Sequence, residues 1–217
     1  MTGTPDPVVI VLTLGLLALA PFIAIMVTSF AKIVIVLSLV RNALGLQQIP
    51  PNLVLNGLAI VLSIYIMAPI ATQISTAAQE RLTTKPMESK AMFDIFDAAR
   101  EPLRGFLSKH AQPREREFFV KSAARLWPPE QAQALKNDDL MVLVPAFTVS
   151  ELTAAFKIGF IIYIAFVVID LVVANILLAL GMMMFSPTVV SVPLKLLLFV
   201  LLDGWSKLIH GVILTYR

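Results

Sequence analysis

Apolar residues in this chain come in long uninterrupted runs rather than in alternation, and the runs gather at its two ends. The first carries no charge over residues 8–31, passes Lys32, and continues to Arg41. At about 1.5 Å of rise per residue this is ample for a membrane-spanning helix, which needs about 20 residues. Pro21 falls inside the run and predicts a kink, which a packed membrane helix tolerates. Residues 41–52 hold Pro50, Pro51 and several amides, the chemistry of a turn. A second apolar run over 53–71 is one span long, with Asn56 near its start and Pro69 near its end.

The C-terminal part reads the same way. Thr148 and Glu151 have the spacing of a capping box, in which the threonine oxygen meets a free backbone N–H and the glutamate reaches back to the cap. From there the pattern predicts a helix through 158–169 and on to Leu180, broken by Gly181 and Pro187. A last helix is expected over 192–210. Between the two ends lies a polar stretch. Phe93, Phe96, Ala99, Leu103, Phe106 and Leu107 recur mostly at helical spacing, with Pro102 predicted to kink or restart the helix. Phe118, Phe119 and Leu126 mark a second amphipathic segment, followed by a turn at Trp127-Pro128-Pro129. The pattern therefore predicts an all-α protein. A hydrophobic helical hairpin over 1–71, a small helical insert over 72–139 and a second hydrophobic hairpin over 140–217 make up the chain. So small an insert buries little core alone and is expected to pack on the hairpins or on other subunits.

Charge sharpens this picture. Residues 80–139 carry 11 basic and 10 acidic side chains, and the flanks only ten charges in all. Overall 58% of residues are hydrophobic and 14% charged, against about 25% charged in an average soluble domain. A mean hydropathy of +0.86 agrees. An ordinary soluble enzyme and a disordered chain are both excluded. The absence of cysteine removes disulfides, thiolate catalysis and cysteine metal sites. A net charge of +3, spread and mixed in sign, lacks the clustered basic face that nucleic acid requires. Residues 1–6 hold no lysine or arginine, so the basic region of a secretory signal is missing and the first helix is expected to be retained. Lys32 and Arg41 near the first turn place that turn in the cytoplasm, and the insert on the far side, periplasmic in a bacterium.

Few groups carry candidate chemistry. Asp170 and Lys195 each stand in apolar surroundings, where a charge needs a partner or a wet cavity. They lie at comparable depth on either side of the break at 181–187, so an ion pair is possible within a hairpin or between neighbouring copies; a proton or ion relay is the alternative reading. Lys32 reads as a snorkelling or interface charge. Asp203, Lys207 and His210 share one helical face, and His210 lacks companions for a metal site. Met182, Met183 and Met184 stand together in a turn, where polar residues are usual. Flexible thioethers suit either a deformable seal or an apolar turn packed in protein. There is no paired nucleophile and base, no metal-ligand cluster and no phosphate loop. No enzymatic activity and no cofactor are therefore expected.

Several long runs together resemble the SctR/FliP family of type III secretion export-gate proteins. These are the run over 138–152, which includes Val144-Pro145-Ala146-Phe147, and Ala155-Phe156-Lys157-Ile158-Gly159-Phe160. Val168-Ile169-Asp170-Leu171-Val172, Gly181-Met182-Met183-Met184 and Leu201-Leu202-Asp203-Gly204-Trp205 belong with them. Ala31-Lys32-Ile33, the run over 40–45 and Gln47-Gln48-Ile49-Pro50-Pro51-Asn52 match the family's first hairpin. The resemblance implies a helical homo-pentamer within the basal body of the bacterial inner membrane, joined by SctS/FliQ-like, SctT/FliR-like and SctU/FlhB-like partners. It implies a pore that conducts unfolded proteins, with Met182, Met183 and Met184 as its gasket and Asp170 with Lys195 as an ion pair between subunits or within the membrane. The start of the chain at its first hydrophobic helix favours the injectisome, virulence-associated branch. A multi-pass solute or ion transporter using Asp170 and Lys195 is the rival expectation; it predicts internal repeats, which the sequence does not display.

Overall fold

The computed structural model describes residues 7–84 and 91–217, and all regular structure among them is helical. Residues 1–6, on which the retained-helix expectation rests, lie outside the described residues. The first apolar run forms α1 (Pro7–Val27) and α2 (Phe30–Ala43). Residues Pro21–Val27 of α1 meet α2 at an angle of 78° at Thr28 and Ser29, a bend seven residues beyond Pro21. Hydroxyls explain why it falls there. Thr28 Oγ1 donates to Ala24 O (2.7 Å) and accepts from Phe30 N (3.4 Å), while Ser29 Oγ meets Ser63 Oγ at 3.1 Å in the interior. Backbone groups freed by a bend in apolar surroundings need such partners.

Arg41 closes the predicted turn by donating to Pro50 O (3.1 Å) and Asn52 Oδ1 (2.6 Å). The chain then enters α3 (Asn52–Thr84), which runs on past Ala71 without interruption. The insert supplies α4 (Ala91–His110), α5 (Pro113–Leu126) and the short α6 (Pro129–Ala134). Pro102 lies inside α4 without ending it, and Trp127-Pro128 forms the predicted turn. Phe106 and Leu107 are buried; Phe93 and Phe96 lie outside the residues whose side chains are described.

The largest departure is α7 (Leu140–Ala179), 40 residues long. It starts eight residues before Thr148, so the capping box does not form. Thr148 Oγ1 instead reaches Val144 O (2.8 Å) and Met26 O (3.3 Å), and Glu151 turns into the protein interior. At about 1.5 Å per residue α7 measures about 60 Å, twice a hydrocarbon core of about 30 Å. The last apolar run is likewise divided, into α8 (Thr188–Leu201) and α9 (Gly204–Leu214), which meet at 64°. Asp203 at that break adopts φ +52°, and Gly204 lies against the Phe199 ring, leaving no room for a side chain.

Helix α2 occupies the centre. Ile33, Val36, Leu37, Val40 and Ala43 are buried among Leu55 and Ala59 of α3, Ala155 and Phe166 of α7, Phe199 of α8, and Leu208 and Val212 of α9. Gly159 allows α7 to approach Leu39 closely. A second core joins the insert to the hairpins through Phe106, Leu107 and Ala111 against Leu143, Ala146 and Phe147. Gln112 N donates to Ser150 Oγ (2.9 Å), fastening the α4–α5 turn to α7. The outer faces of α3 and α7 stay apolar, with Val61, Ile64, Tyr65, Phe160, Ile161 and Leu171 exposed. Both helices are long and apolar enough to cross a membrane, and each bent pair could form a further span.

Candidate functional site

Three side-chain groupings stand out. The first is the methionine turn. Helix α7 ends in a Schellman motif: Met182 N donates to Leu177 O (3.0 Å) and Gly181 N to Leu178 O (3.0 Å), with Gly181 at φ +76°. Glycine is needed there because a Cβ is strained in the left-handed region. Phe185 N then donates to Met182 O (3.1 Å), the Ser186 and Thr188 hydroxyls meet at 2.8 Å, and Pro187 leads into α8. The backbone is thus held by its own hydrogen bonds, while the side chains face outward. Met183 is 81% exposed and Met184 fully exposed, so neither packs within its own chain.

The second grouping is Asp170 with Lys195. The lysine Nζ lies 2.5 Å from Asp170 Oδ2 within one chain, and 3.2 Å from Ala43 O at the end of α2. A cation at a helix C-terminus complements the exposed carbonyls of the last turn. One buried lysine therefore joins α2, α7 and α8. Its side chain is 5% exposed and that of Asp170 40%, the carboxylate opening on a cavity of about 570 Å3 lined also by Asn42, Gln47, Tyr163 and Ser191. Ser191 Oγ is buried there without a partner.

The third grouping escaped the sequence reading. Lys32 Nζ lies 2.9 Å from Glu151 Oε1, both side chains 4% exposed. Lys32 Nζ also donates to Thr215 Oγ1 (3.2 Å) and sits 3.9 Å above the centre of the Tyr216 ring. The Tyr216 hydroxyl donates to Glu151 Oε2, and its ring stacks on Phe106 and meets His110 edge-on. Burial first, then the neighbouring Lys32 and Lys109 charges, lower the His110 pKa to about 4. Burial, followed by the Glu151 carboxylate, pushes the Tyr216 hydroxyl up. The available signal was that Lys32 and Glu151 are opposite charges in apolar runs, the same signal that singled out Asp170 and Lys195. Asp203, Lys207 and His210 are exposed at the start and along one side of α9. Among the described residues no three His, Asp or Glu side chains gather as metal ligands do.

A family profile described as FliP family matches residues 13–212, nearly the whole chain. The chain belongs to the FliP family. It is 54% identical over 218 residues to the Yop proteins translocation protein R of Yersinia pestis, covering 100% of this chain and 99% of that one. It is 54% identical over 202 residues to the hypersensitivity response secretion protein HrcR of Ralstonia nicotianae, 93% of each chain. With the virulence protein YscR of Salmonella typhimurium the identity is 44% over 209 residues, 93% of this chain and 94% of the other. Membership of the FliP family makes this chain a membrane component of a secretion apparatus and not an enzyme, and the names of these relatives agree with the SctR branch.

Proposed function

We propose that this chain is a pore-forming subunit of a type III secretion export gate in the bacterial inner membrane, conducting unfolded proteins outward. In this reading it assembles as a homo-pentamer with SctS/FliQ-like, SctT/FliR-like and SctU/FlhB-like partners. Hairpins over 1–71 and 140–217 flank a periplasmic insert over 72–139. The turn at Met182, Met183 and Met184 is its gasket. The observation that carries the reading is the contrast within that turn: a backbone tied by its own hydrogen bonds presents exposed, flexible apolar side chains between the apolar helices α7 and α8. Several copies of such a turn around an axis would close a pore against ions and yield to a passing chain, because methionine re-packs readily. Asp170 and Lys195 serve this arrangement by tying α8, which carries the far side of the turn, to α7 and to the end of α2.

A direct test replaces Met182, Met183 and Met184 together by alanine in the assembled gate. Ion conductance across the membrane should rise while the complex is recovered in normal amount. A gate that assembles and stays as tight as the unaltered one would sink the gasket. The geometry favours a structural pair over a transporter's relay, since Lys195 already has two partners.

A further inference from the structure

The residues that follow α9 do more than terminate it. Thr215, Tyr216 and Arg217 N–H groups donate to Val212, Ile213 and Leu214 carbonyls, three residues back, so the last turn tightens instead of extending the helix. That tightening accompanies the inward placement of Tyr216. The Tyr216 side chain alone then touches Lys32 of α2, Phe106 and His110 of α4, and Glu151 of α7. Thr215 Oγ1 takes a further hydrogen of Lys32 while donating to Val212 O (2.7 Å). The Lys32–Glu151 pair is thus shielded from water in part by Thr215 and Tyr216. Both residues lie beyond Leu214, the last residue of α9, so they can leave their seats without unwinding it. Withdrawing Tyr216 would break no hydrogen bond inside any of α2, α4 or α7, yet it would open the place where all three meet.

We propose that Thr215 and Tyr216 form a latch: they close over the buried Lys32–Glu151 pair and pin the insert helix α4 to the two hairpins, and their release opens this junction while the Asp170–Lys195 region stays packed. The two regions are well separated. Glu151 and Asp170 stand 19 residues apart on α7, about 28 Å along its axis. The latch does not depend on the gasket reading.

The test uses the full chain in lipid nanodiscs and a water-soluble amine-reactive reagent, with labelling of Lys32 and Lys195 read by mass spectrometry. Both lysines are buried in the unaltered protein, so both should resist labelling. Tyr216→Ala should raise Lys32 labelling at least tenfold and leave Lys195 protected, and backbone amides near Phe106 and His110 should exchange faster. Tyr216→Phe, which keeps the ring under Lys32, should open the site less. Lys32 as protected in Tyr216→Ala as in the unaltered chain would overturn the proposal, and Lys32 labelling without faster exchange in α4 would overturn the pinning of the insert. Should both lysines open in Tyr216→Ala, Tyr216→Leu decides. Selective labelling of Lys32 there upholds the latch, and any other result rejects it.

Discussion

Removing one charge of the Lys32–Glu151 pair should cost more than removing both. At 2.9 Å and an effective dielectric constant near 20, the attraction between the two charges is about 6 kcal/mol. Most of that offsets the cost of holding two ions out of water, since each side chain is only 4% exposed. Glu151→Gln keeps the volume and one acceptor oxygen but leaves Lys32 charged and buried, with only uncharged partners: that amide oxygen, the Thr215 hydroxyl and the Tyr216 ring. The expected loss is about 3–5 kcal/mol, the range for breaking one side of a buried pair. Lys32→Met should cost a similar amount by stranding the carboxylate, which keeps one hydrogen bond from Tyr216. The double variant Lys32→Met/Glu151→Leu should recover most of the loss and fall within about 1–2 kcal/mol of the parent, because apolar replacements of a buried pair are often neutral. Thermal unfolding in nanodiscs, followed by tryptophan fluorescence of Trp205 and Trp127, supplies the four corners of the cycle. Single variants as stable as the parent, or a double variant with the sum of the two losses, would refute the assignment of this pair as buried and mutually dependent.

Three further outcomes follow from the same structure. Gly159→Ala places a Cβ 2.9 Å from Leu39 Cβ, so α2 and α7 must separate at a cost of about 1–3 kcal/mol. Gly57→Ala, where the added methyl meets open space, should instead stabilise α3 by up to about 1 kcal/mol, and unfolding midpoints of the two variants should therefore shift in opposite directions. His110 has a folded-state pKa lowered to about 4 from 6.5, so between those values the unfolded chain binds a proton that the folded chain refuses. Stability is then full above about pH 6.5 and declines as pH falls towards 4. His110→Gln should flatten that part of a stability-against-pH curve, and an unchanged curve would show that the loss arises elsewhere.

Much of the architecture was legible in hydropathy alone. Long charge-free runs have few ways to satisfy their backbones in lipid, so helices followed from composition, and the charged middle followed as a separate helical part. The turn at Arg41 to Asn52 was legible too, because proline and amide chemistry acts locally; Arg41 bonds within that same segment. Helix ends were less legible. Thr148 and Glu151 have capping-box spacing, but the apolar run before them continues the helix back to Leu140, and Glu151 finds a stronger partner in Lys32. A local motif of about 1 kcal/mol yields to tertiary contacts of several. The same holds for Pro102, whose local cost within α4 is outweighed by the burial of Phe106 and Leu107 against α7.

By itself the sequence determined what depends on neighbours along the chain: the apolar runs and their helical character, the turn at 41–52, the glycine that ends α7, and membership of the FliP family. It also identified Asp170 and Lys195 as charges in need of partners. Only the tertiary structure decided which charges meet. Lys195 reaches Asp170 and the end of α2, whereas Lys32 reaches Glu151 and the C-terminal tyrosine 184 positions away. The bend at Thr28 and Ser29 likewise required it in part, since the Ser29 hydroxyl meets Ser63 of α3 only once the two helices lie together. The physical reason is common to all of these. Local propensities act over one helical turn, but a charge in apolar surroundings selects its partner by proximity in space, and that is set by how the helices pack.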